Sequence, residues 1–127
     1  MNYYILIAGV LSLFATIGHF AIGTKDFLRP VMASEVDEIP KKVMESLFHY
    51  MSVYMILTSV VLISISLGYS LGFDHPADVV QLIGTIYACF AVSQFYIALS
   101  SSIKMGVFKL FQWIFWALIA IFSFSGI

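Results

Sequence analysis

Apolar residues run without an acidic or basic side chain, histidine aside, through residues 1–24, 46–73 and 79–103, and the charged positions fall between these runs. Each run can form a helix of about 20 residues, enough to cross a bilayer's hydrocarbon. A fourth run, 110–127, is shorter. It rises roughly 27 Å at about 1.5 Å per residue, and Lys109 at its start can extend it by snorkelling to the interface. The pattern predicts an all-α membrane protein, four transmembrane helices in an antiparallel bundle. The expected boundaries are 1–23, 40–69, 77–102 and 107–127, one domain over residues 1–127.

Composition agrees, because 61% of the chain is apolar and only 10% is charged, more apolar surface than a soluble domain of this size can bury. The first run lacks a basic leader and a small-residue cleavage pattern, so it is expected to be a retained helix and not a signal peptide. Cys89 stands alone and cannot form an internal disulfide, and is expected to be a small packing residue.

The six basic residues, Lys25, Arg29, Lys41, Lys42, Lys104 and Lys109, all lie in or beside the first and third loops. The positive-inside rule makes those loops cytoplasmic and places both termini and the second loop outside. The rule counts Lys and Arg, so the net charge of −1 adds nothing. No basic tract suits nucleic acid, and the partner expected from the pattern is the lipid bilayer.

In the first loop, Phe27, Leu28, Val31 and Met32 are spaced to give one apolar face, which predicts a short helix lying at the interface. Ser34 and Asp37 resemble a capping box, and Pro40 suits the first turn of a second helix. In the second loop Asp74 or Asp78 is expected to cap the third helix, and His75 to face solvent. Residues 100–106 are a short polar connection between antiparallel neighbours.

Polar positions follow helical order within the runs. Ser12, Thr16, His19 and Gly23 share one face of the first helix, and Glu45, His49 and Ser52 share one face of the second. On the third, Gly84, Tyr87, Ala91, Gln94 and Ala98 form a stripe of small residues with two polar members, expected to face inward. Lys109, Gln112 and Trp116 share a face of the fourth. Measured from the cytoplasmic boundary, His19, Glu45 and His49 fall at similar depths. Ionisable groups inside a membrane are costly and by default mark function, so this layer is the candidate site.

Glu45 and His49 lie one helical turn apart and can ligate a single ion, with His19 supplied by the facing helix. Two imidazoles and a carboxylate suit Zn²⁺ with an open position for water, and the same set suits Fe²⁺ or Mn²⁺. Tyr87, Gln94 and Gln112 could orient the ligands, while Lys109 and Trp116 border the site. An enzyme would use a metal-bound water with Glu45 as ligand or general base, whereas a sensor would need only the ion and the long first loop.

Three alternatives stand beside the metal. Paired histidines in a four-helix membrane bundle suit a haem b for electron transfer, although helices packed about 8–10 Å apart leave more room for an ion than for a porphyrin. A homo-oligomer could pass protons or cations along His19, Glu45 and His49, yet the outward halves lack a matching polar lining. A purely structural protein would satisfy the histidines internally and leave Glu45 beside Lys41, Lys42 or Lys109. Tyr3, Tyr4 and Trp113 suit interfacial belts, while Phe14, Phe20, Phe48, Phe90 and Phe95 read as lipid-facing or packing groups. The methionines are too loosely arranged for a copper site.

The segment Gly18-His19-Phe20-Ala21-Ile22-Gly23, with Arg29-Pro30 after it and Phe48-His49 on the second helix, resembles a family of small bacterial four-helix membrane proteins of unassigned function. The likeness covers mainly the first hairpin. That family has Trp before the second-helix histidine, where this chain has Phe48. The resemblance implies a bacterial inner membrane and a pairing of His19 with His49, and implies no activity.

Overall fold

A computed structural model describes residues 1–127 and contains five helices and no strand. Helix α1, Tyr3–Met32, is continuous, but its hydrogen bonding changes along its length: Tyr3–Gly18 is α-helical, His19–Leu28 is π-helical and Arg29–Met32 is α-helical. Helix α2 is Glu38–Ser66, α3 is Pro76–Ser100, α4 is the single turn Gly106–Lys109, and α5 is Gln112–Ser125. By length and composition α1, α2 and α3 can each cross a membrane, and α5 is a shorter apolar helix.

The π-helical stretch has a local cause at Pro30. Proline has no N–H to give to the carbonyl four residues back, and its ring collides with that carbonyl in an α-helix. Widening the turn relieves the collision, and the Arg29 N–H accordingly reaches the Thr24 carbonyl, five residues back. The interfacial helix expected in the first loop is therefore not a separate element. Its apolar positions continue α1, and the chain breaks only after Met32.

Helix ends also depart from the expected caps. Ser34 Oγ donates back to the Val31 carbonyl at 2.6 Å, and Asp37 at the start of α2 makes no side-chain cap, so the capping box does not form. His75, and neither Asp74 nor Asp78, is the N-cap residue of α3, where Pro76 fills the first position and needs no donor partner. The cap that does form is at Asn2, whose Oδ1 accepts from the Ile5 N–H at 3.2 Å.

Asn2 also ties three chain segments together at one end of the bundle. Its backbone N–H donates to the Ser66 carbonyl at 2.8 Å, and its Nδ2 donates to the Gly126 carbonyl at 2.7 Å. The chain start, the end of α2 and the chain end therefore meet.

Helix α1 packs between α2 and α5, and α5 packs in turn on α3. Gly9 allows the close approach of α1 to α2, since a Cβ there would lie 2.7 Å from Ile63 Cγ1 and 3.0 Å from the Ile63 backbone nitrogen. The fourth expected helix is broken. Leu110 leaves helical geometry between α4 and α5, and Trp113 Nε1 donates to the Val107 carbonyl at 3.0 Å across the break.

Tyr87 is fully buried at the centre, stacked on Trp116 with ring centroids 5.6 Å apart. Its hydroxyl lies 2.9 Å from Ser12 Oγ and 2.8 Å from Thr58 Oγ1, and Ser59 Oγ donates to Ser12 Oγ at 2.8 Å. This hydroxyl cluster joins α1, α2 and α3. It links α2 to α3, whose backbones otherwise scarcely meet. Outward-facing residues such as Val53, Leu57, Leu82 and Val92 are exposed, so the apolar surface encircles the bundle.

Candidate functional site

His19 opens the π-helical stretch and turns its ring toward α2. Its Nε2 lies 3.1 Å from the Phe48 carbonyl oxygen and 2.9 Å from Ser52 Oγ. A carbonyl oxygen only accepts, and the Ser52 hydroxyl itself donates to the same carbonyl at 3.0 Å. The hydrogen-bond network therefore assigns the proton to Nε2 and leaves Nδ1 as a bare acceptor. The imidazole stacks on the Phe48 ring with centroids 3.9 Å apart.

Gly23 lies beneath this pair, one π turn along α1. A Cβ there would come within 3.3 Å of Phe48 Cε2 and 3.7 Å of His19 Nδ1. Glycine lets both rings sit close to the α1 backbone, and Nδ1 lies on that side of the imidazole.

Next to these residues is a cavity of about 600 Å³, lined by His19, Gly23 and Phe48 and by Gln112, Phe115 and Trp116 of α5. Gly18, Phe14, Phe27 and Phe111 complete much of its wall. Its size falls within the roughly 300–1,000 Å³ typical of small-molecule sites, as does its character of apolar wall with few polar groups. Gln112 Oε1 is buried and has no hydrogen-bond partner, which is costly in an apolar setting. A second hollow runs along the outer face of α2 from Glu38 to Tyr50, but a single helix lines it and it encloses nothing.

The expected triad is not assembled. No three His, Cys, Asp or Glu side chains come together in an arrangement able to hold a metal ion. Glu45 is instead engaged within its own helix, accepting from Lys42 Nζ at 2.8 Å. This pair precedes the apolar run of α2. His49 is exposed and meets the edge of the Phe48 ring at a centroid distance of 5.7 Å. Phe48 thus contacts both imidazoles, and the exposed His49 and the Lys42-bound Glu45 form no ligand cluster with His19. Arg29 is exposed.

Of the supporting residues named from sequence, Gln112 and Trp116 line the cavity. Tyr87 belongs to the hydroxyl cluster, Gln94 is half-buried outside the cavity wall, and Lys109 is exposed. Cys89 is exposed on α3, not packed inside. Sequence reasoning did not find the cavity or the π-helical turn. The signal available for both was Gly18 and Gly23 flanking His19, with Pro30 downstream.

Comparisons with protein-family models, with curated proteins and with solved structures find no match for this chain.

Proposed function

We propose that this protein is a four-span integral membrane protein of the bacterial inner membrane that binds a lipid-soluble ring compound in the cytoplasmic half of its bundle. The observation that carries this reading is the cavity between the π-helical stretch of α1 and the start of α5, with Phe14, Phe27, Phe48, Phe111, Phe115 and Trp116 in an otherwise aliphatic and glycine wall and two polar groups, His19 and Gln112. Aromatic side chains favour flat rings, each such contact adding roughly 0.5–1.5 kcal/mol beyond the area buried. A π-helical stretch at the site fits, since such distortions concentrate where proteins work.

Support for a fourth span comes from α5, which is apolar and packs between α1 and α3. All six basic residues lie toward the α1–α2 and α3–α5 connections, which favours a cytoplasmic position for both. The positions of Glu45 and His49 lend no support to zinc or haem, and no oligomer is needed to complete the cavity.

The test is a titration of the purified protein in nonionic micelles with an alkyl-tailed naphthalene, followed by energy transfer from tryptophan. One saturable site above micelle partitioning is expected, because Trp116 borders the cavity. A signal that rises only with the probe's partitioning into protein-free micelles contradicts the reading.

A further inference from the structure

We infer that the cavity holds its ligand by a hydroxyl group: the ligand is a lipid-soluble phenol, hydroquinones included, whose O–H donates to His19 Nδ1. This rests on the ring-binding reading and narrows it to one chemical class.

The argument is one of unmet acceptors. His19 Nε2 gives its proton to the Phe48 carbonyl and Ser52 Oγ, so the neutral ring has only a lone pair left at Nδ1. No side-chain or backbone donor of the protein reaches that nitrogen. Gln112 Oε1 is a second acceptor, buried without a donor in the wall of the same cavity. A ligand hydroxyl gives Nδ1 the donor that the protein does not supply, where an alkyl chain does not.

At His19 Nδ1 the same accounting favours a hydroxyl over other polar groups. A quinone, ketone or ester brings carbonyl oxygens, which would face Nδ1 as acceptor against acceptor. A carboxylate would need a cation, and none of the lysines or Arg29 lines the cavity. A phenol supplies a donor at one end and a flat apolar ring for Phe48, Phe115 and Trp116.

Three probes separate this inference from the reading beneath it: a naphthol with a short alkyl tail, its methyl ether, and the corresponding hydrocarbon. The wild-type protein should bind the naphthol at least about tenfold more tightly than the other two, as expected for one hydrogen bond made in an apolar cavity. In His19→Phe that advantage should fall to within about twofold while hydrocarbon binding persists, the ring being retained and the acceptor lost. Equal binding of all three probes by the wild type overturns the hydroxyl inference and leaves ring binding standing. Failure of every probe to bind overturns both. A readout that needs no variant is nitrogen NMR of the His19 imidazole, where the Nδ1 resonance should move on adding the naphthol and stay fixed with the ether. An Nδ1 resonance unmoved by saturating naphthol overturns the inference.

Discussion

The His19 imidazole lies nearly parallel to the Phe48 ring, with centroids 3.9 Å apart and planes inclined by 19°, while its Nε2 bonds the carbonyl of that same residue. Phe48 thus holds His19 twice, by its side chain and by its backbone. The carbonyl fixes which nitrogen carries the proton, and the stacking holds the plane of the ring.

Replacing Phe48 should separate these contacts. Phe48→Leu removes the stacking but keeps the carbonyl, and is expected to lower stability by about 1 kcal/mol while the Nε2–H tautomer survives. Phe48→Trp offers a larger aromatic face and should keep both. Unfolding in micelles and imidazole nitrogen NMR check this; a His19 proton that moves to Nδ1 in Phe48→Leu would show that the ring, not the carbonyl, sets the tautomer.

Tyr87→Phe deletes the hydroxyl shared by Ser12 and Thr58. Side-chain hydrogen bonds in membrane bundles average about 0.6 kcal/mol, so a loss of roughly 1–2 kcal/mol is expected for the pair. Because Ser12 and Tyr87 share one network, Ser12→Ala should cost less in the Tyr87→Phe background than alone. Additive losses in a double-mutant cycle would contradict the coupling.

Glu45→Gln should change stability by less than about 0.5 kcal/mol, since Glu45 meets only the exposed Lys42. Zinc added to the wild type should leave both its melting temperature and its spectrum of bound metals unchanged relative to Glu45→Gln. A stoichiometric ion lost in Glu45→Gln would restore the His19–Glu45–His49 site.

Much of the helical framework could be read from the sequence because it follows from apolar run length. The runs that contain Tyr3, Ser52 and Tyr87 became long helices, and of the stripe Gly84, Tyr87, Ala91, Gln94 and Ala98 all are buried except Gln94, which is half-buried. The site was less legible, for a physical reason. Helical spacing places Glu45 and His49 on one face, but it does not say whether a carboxylate turns toward a facing histidine or toward a lysine one turn away. Glu45 pairs with Lys42 on its own helix. The π-helical stretch adds a second difficulty, because residues after His19 no longer keep the 3.6-residue period from which faces were assigned. The break at Leu110 has no periodic signal either. Met105, which opens the turn α4 before it in a left-handed conformation at φ 60°, is a residue that composition does not associate with turns.

Gly18 offers the most direct test of the central claim that the cavity is a binding site. It lines the cavity, and a Cβ added there would meet nothing within 4 Å. Gly18→Leu adds a side chain at a cavity-lining position where the first carbon has open space, and removing a mid-helix glycine should leave stability unchanged or higher by up to about 1 kcal/mol. The measurement is the affinity of the alkyl-tailed naphthol for Gly18→Leu and for the wild type, each with its melting temperature. The account predicts at least about tenfold weaker binding to a variant that melts no lower, the loss corresponding to about 1.4 kcal/mol. Equal affinity in the two folded proteins would contradict it.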